Sequence, residues 1–178
     1  HIEVMDNVLP VYYENEKVRN KIVLDLSNRD ISTVSEINKL IKSSNCLIYD
    51  TLNLSHNLLT NKDFNVNKII NINYCSTLIL DYNNLSGLTM KNFPRNIKKL
   101  SCTYNNITRP EDFACRNKVK TLQEIDISNN PICNTELYRI HLLSLMPSLR
   151  LINEVKVSKE ERHKNKMKIE KKIKNDKK

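Results

Sequence analysis

One glycine and no tryptophan occur in 178 residues. A phosphate-cradling loop or a dinucleotide fingerprint needs several glycines so that backbone N–H groups can approach the phosphates, and Gly87 alone builds neither. Cysteine is sparse and scattered, at 46, 75, 102, 115 and 133, with no pair at zinc-ligand spacing. The odd count does not staple a secreted domain and reads as buried free thiols in a reducing compartment, nuclear or cytoplasmic. No apolar run approaches the ~20 residues that span a bilayer, so no membrane association is expected. The histidines, at 1, 56, 141 and 163, stand in no Ser–His–Asp order and beside no paired carboxylates. The expectation is a chain that is not an enzyme and takes no metal and no cofactor.

Charge is present but unevenly placed. The formal net charge is +9, yet residues 156–178 hold eleven Lys/Arg against four Asp/Glu. The first 155 residues are therefore close to neutral, and the excess sits in a basic tail, helical or disordered. Such a tail is a solvated solubilising segment or a surface for phosphates and acidic partners.

Asparagine occurs 26 times, and its placement reveals a repeat. On the template LxxLxLxxNxL, residues 49–59 read YDTLNLSHNLL, 75–85 CSTLILDYNNL, 97–107 IKKLSCTYNNI and 122–132 LQEIDISNNPI. An earlier copy, 21–31 (KIVLDLSNRDI), has Arg29 in place of the asparagine. The template's fourth positions fall at 24, 52, 78, 100 and 125. This is a leucine-rich repeat. The fourth and sixth residues of a short strand point into the core, and the chain then turns away, leaving interior backbone groups to be satisfied. A buried amide supplies both donor and acceptor, so Asn57, Asn83, Asn105 and Asn130 are expected to form a structural ladder. The expected fold is an α/β leucine-rich-repeat solenoid: a curved parallel sheet on the concave face, helices and irregular turns on the convex face, and a cap at each end. Residues 33–45 carry helical spacing in Val34, Ile37, Leu40 and Ile41, Pro110 suits a first helical position, and 61–74 is irregular.

The chain divides into an N-terminal cap (1–20, with Val8, Leu9, Val11 and Tyr12 as apolar cover), five repeats (21–132), a C-terminal cap (133–155) and the basic tail (156–178). In the C-terminal cap, Leu137, Ile140 and Leu143 fit a buried helical face. Pro147 stops that helix, and Leu149 and Ile152 repeat the first and fourth positions of a sixth strand.

Asn130-Pro131, Tyr138-Arg139, Pro147, Leu149 and Ile152 resemble the C-terminal cap of the intracellular, phosphatase-regulator-like group of leucine-rich repeats, with Asn153 where that group has Asp. Within the group, Val18-Arg19 leading into Leu24-Asp25-Leu26, and the KVSKEER stretch at 156–162, resemble its spliceosomal small nuclear ribonucleoprotein (snRNP) members. That resemblance implies a non-catalytic scaffold whose concave surface grips a helix of an RNA-recognition-motif protein. It also implies contact with snRNA phosphates through the tail and lysines such as Lys98 and Lys99. Ciliary or phosphatase-regulatory adaptors share the cap, and they imply protein binding without RNA. A recognition module within a larger enzyme is the third reading.

On each strand the third, fifth and seventh positions face outward and the eighth lies near the rim. The expected partner-binding residues are Asp25, Asn53, Ile79, Ser101 and Asp126 at the fifth position, Asp81 at the seventh, and His56, Tyr82 and Tyr104 at the eighth. An apolar centre beside paired tyrosines in a polar, partly acidic surround suits a protein partner, while the tyrosines also suit simple stacking on each other. Without a partner the chain is expected to be a monomer.

Overall fold

The computed structural model describes residues 11–15, 18–62, 64–88, 93–112 and 119–177, with the side chains of 11–20 excepted. Its centre is an eight-stranded sheet in which sequence order and spatial order coincide. Six strands run parallel: β2 (Val18–Asp25), β3 (Thr51–Asn53), β4 (Thr77–Ile79), β5 (Lys99–Ser101), β6 (Glu124–Asp126) and β7 (Leu151–Ile152). The fourth template positions are in register across all of them, Leu24, Leu52, Leu78, Leu100, Ile125 and Ile152, and each is buried. Fully burying one such side chain stabilises by about 1.5–3 kcal/mol, so this single row is a large share of the core.

The outer strands close the sheet as hairpins: β1 (Val11–Asn15) pairs antiparallel with β2, and β8 (Val155–Lys156) pairs antiparallel with β7. Of the apolar cover expected for the N-terminal end, Val11 and Tyr12 lie in β1, while Val8 and Leu9 lie outside the described residues. The first repeat strand begins at Val18, inside the stretch assigned above to the cap.

The convex side differs from coil to coil. The first return is helix α1 (Val34–Ser43), which buries Val34, Ile37, Leu40 and Ile41 as their spacing predicts. A capping box starts it: the Glu36 N–H donates to Thr33 Oγ1 (3.3 Å), and the Thr33 N–H donates to Glu36 Oε2 (2.9 Å). Hydrogen bonds from the Ser32 and Thr33 N–H groups hold the Glu36 carboxyl below its ordinary range. Later returns are short 3₁₀ turns at Val66–Lys68, Ile72–Tyr74 and Pro110–Asp112. The turn at Pro131–Asn134 precedes α2 (Tyr138–Leu145), and the basic tail forms α3 (Lys159–Asn175).

Gly87 has a packing role. A Cβ there would lie 2.2 Å from the Asp112 carbonyl oxygen, so two convex turns meet backbone to backbone where no side chain fits. Cys46, Cys75 and Cys102 are buried as free thiols, and burial pushes the Cys75 thiol up to about 12.

Candidate functional site

Two rows one residue apart shape the end of every strand. The inner row is the asparagine ladder. The Asn105 Nδ2 donates to Leu80 O (3.0 Å), Cys102 O (3.1 Å) and Thr103 O (3.1 Å), and its Oδ1 accepts the Leu85 N–H (3.0 Å). Asn57, Asn83 and Asn130 repeat the arrangement, Asn57 accepting two N–H groups, from Arg29 and Ile31. Asn83 makes the same bonds while only half-buried; the other three are buried. Each asparagine therefore ties its own coil to the coil before it.

The outer row holds Asn28, His56, Tyr82, Tyr104 and Asn129, all at left-handed φ between 52° and 58°. The turn is required because each of the first four sends its N–H to the seventh-position carbonyl of the next coil, as from Tyr82 to Thr103 O (2.9 Å). Asparagine and histidine enter this region readily, whereas a bulky residue pays about 1–2 kcal/mol. Here the rings stack. His56 on Tyr82 and Tyr82 on Tyr104 each have centroids 4.2 Å apart, with interplanar angles of 11° and 9°. Such pairs contribute about 0.5–1.5 kcal/mol each, which offsets part of the backbone strain at the two tyrosines. Tyr82 and Tyr104 remain 42% and 46% exposed, so the rings present a continuous aromatic edge along the rim.

Below that rim the expected binding residues are already engaged. Asp25 Oδ1 accepts from Ser27 N (3.0 Å) and Ser27 Oγ (2.6 Å), and Asn53 and Asp126 do the same with Ser55 and Ser128. The fifth residue thus pins the seventh across the turn. In the third coil the fifth position is Ile79, which cannot accept. There Asp81 reaches into the next coil instead, taking Ser101 Oγ (2.6 Å) and the Thr103 N–H (2.8 Å). Asp25, Asp81 and Asp126 each keep their second carboxylate oxygen free of hydrogen bonds among the described residues. Ile79 is half-buried, and its in-register neighbours are Asn53 and Ser101 rather than the tyrosines, which stand three positions further along. Ser101 is buried and offers little to a partner. Sequence reasoning missed the third-position pair Lys99–Glu124, 3.7 Å apart on the same face; its opposite charges in register were the available signal.

At the C-terminal end, two sequence motifs prove to be halves of one contact. Arg139 donates from Nε to Glu161 Oε1 (2.5 Å) and from Nη1 to Ile152 O (2.8 Å), so helix α2, strand β7 and helix α3 share one guanidinium. The hydrogen bond to Arg139 holds the Glu161 carboxyl below its ordinary range and raises the Arg139 guanidinium. Glu161 also closes the capping box of α3 with Ser158, and Arg162 donates to Leu149 O (2.6 Å). His141 is half-buried in α2 and His163 is exposed on α3. Among the described residues, no group of three or more His, Cys, Asp or Glu could hold a metal ion, and no helix is long and apolar enough to cross a membrane.

These features define a leucine-rich-repeat protein: an open parallel sheet, asparagine-linked coils and hairpin-capped ends, with an aromatic rim on the concave side. Its sequence is similar to U2 small nuclear ribonucleoprotein A′ of several fungi. It is 31% identical to the Candida albicans protein over 140 residues, 78% of this chain and 58% of that protein. Against the Saccharomyces cerevisiae protein the identity is 33% over 87 residues, 48% of this chain and 37% of that protein. Against the Eremothecium gossypii protein it is 28% over 162 residues, 86% of this chain and 65% of that protein. The chain thus spans between about a third and two thirds of the length of these curated relatives. A chain in the crystal structure of the Drosophila melanogaster SNF/U2A′ complex superposes with a TM-score of 0.69 at 20% identity, covering 89% of this chain and 86% of that one, which shows the shared fold. No family model matches the sequence.

Proposed function

We propose that this chain is a non-catalytic snRNP scaffold of the nucleus whose concave face grips an RNA-recognition-motif protein. The observation that carries the reading is the exposed aromatic edge of His56, Tyr82 and Tyr104, with the carboxylates of Asp25, Asp81 and Asp126 held in place on the same sheet. An exposed, rigid aromatic line flanked by fixed acceptors suits a protein helix that brings apolar side chains and cations. The similarity to A′ proteins supports the choice of partner class, as does the fold shared with a chain of the SNF/U2A′ complex. The tail supports a secondary contact with snRNA phosphates: Lys159, Lys166 and Lys174 lie on one side of α3, available to a phosphate backbone.

The test is affinity capture from nuclear extract with and without ribonuclease, comparing wild type with a Tyr82→Ala/Tyr104→Ala double variant. Recovery of an RNA-recognition-motif protein with snRNA, lost in the double variant, is the expected result. Capture of phosphatase or axonemal proteins instead, indifferent to ribonuclease, overturns it.

A further inference from the structure

The groove between α2 and α3, on the C-terminal end of the solenoid and away from the concave rim, is lined by apolar side chains and edged by unpaired cations. Its floor is Leu137, Ile140 and Met167; its rim is Lys164, Lys168 and Lys171, and two adjoining hollows of about 320 and 330 Å³ share Leu137, Ile140 and Lys164. Leu137 is 55% and Met167 45% exposed, although both belong to residue types that normally seek burial. Leu137 also adopts a left-handed φ of 59°, a conformation unfavourable for leucine. The three lysines follow an i, i+4, i+7 stripe on one side of α3, and among the described residues no carboxylate lies within ion-pair distance of them. Glu161, the acid at the head of the groove, is already held by Arg139.

We propose that this groove is a second docking site, independent of the concave face, for an acidic amphipathic segment of a partner protein. The apolar floor takes two or three large side chains of such a segment, while the lysine stripe selects carboxylates on its flank. Nucleic acid accounts for the lysines but leaves Leu137 and Met167 without a role, and an uncharged apolar peptide leaves the one-sided lysine stripe without one.

The probe is a random 16-residue peptide library displayed on phage, selected on the full chain and counter-selected on a Met167→Glu variant. The expected consensus pairs large apolar residues at helical spacing with flanking Asp or Glu. The selected peptide should lose about tenfold in affinity on Leu137→Asn, a change that suits the left-handed backbone and leaves the fold intact, and several-fold on Lys164→Glu/Lys168→Glu. Its addition should shift the Met167 methyl resonance and leave the Tyr82 and Tyr104 rings unmoved. No enrichment over the Met167→Glu variant, a consensus without acids, or binding displaced equally well by a single-stranded RNA oligonucleotide overturns the proposal.

Discussion

The first and last coils both break the repeat, and for opposite reasons. In the first coil, Arg29 stands where every later copy has asparagine. Because each ladder asparagine serves the coil before it, the first coil has nothing to serve, and its own interior groups are satisfied by Asn57. In the last coil the deficit is on the other side. The N–H of Leu26, Leu54, Leu80 and Cys102 each donates to the fifth-position carbonyl of the next coil, but Asn153 turns away at φ 51°. Its side-chain Oδ1 takes the Ile127 N–H instead (2.8 Å), while Nδ2 donates to the Tyr138 hydroxyl (3.2 Å). An aspartate, usual at this place in similar caps, keeps the acceptor and can accept from Tyr138 in turn. The comparison teaches that the repeat is a directional linkage between neighbours, so a missing consensus residue is harmless at one end and must be replaced at the other.

That contrast can be broken most forcefully in the middle. Asn105→Ala removes four hydrogen bonds and strands buried backbone groups, so it should cost about 3–5 kcal/mol in urea unfolding followed by circular dichroism. A loss under 1 kcal/mol would mean that water replaces the amide and that the ladder is decorative. Next in size, Asn153→Leu should cost about 2 kcal/mol, because the Ile127 N–H loses its acceptor, while Asn153→Asp should cost far less. Equal losses for the two would refute the surrogate-carbonyl account.

A smaller effect, about 1 kcal/mol, is expected for Glu161→Gln, measured as a difference in stability across pH. The folded carboxyl titrates below its ordinary value, so its contribution is fully present above the unfolded carboxylate range near 4.5 and is lost as pH falls through the lower folded value. Wild type and variant should therefore converge in acid; a gap that persists at low pH would show that packing, not charge, holds α3. The smallest effect is reserved for the first coil. Arg29→Asn should change stability by no more than about 0.5 kcal/mol, since the buried Arg29 Nε makes no hydrogen bond to be lost. A large gain would show that the first coil does want its own amide.

Much of this was legible in the chain because the repeat couples position to environment. The inward rows, the four asparagines and α1 follow from which residues must face the core. In the cap helix Ile140 and Leu143 are buried as their spacing predicts, while Leu137, expected beside them, precedes the helix and is exposed. The candidate binding face was legible only as a list of outward positions. Whether Asp25 or Asp126 is free depends on Ser27 and Ser128 two residues on, and whether Asp81 is free depends on the replacement of a fifth-position acceptor by Ile79. The stacking of His56, Tyr82 and Tyr104 required knowing that the eighth position is left-handed in every coil. Arg139 and Glu161 were visible as separate motifs, but their meeting depends on how α3 folds back over the cap. Gly87 could be used only to exclude chemistry, since its role lies in a close approach by Asp112, 25 residues away.

The one-way wiring of the asparagines also sets an order of birth. As the chain leaves the ribosome, each new coil arrives carrying the amide that completes the coil already made. At every length the newest coil is the one that still lacks its partner amide, and Asn153 supplies the side chain that completes the last of them.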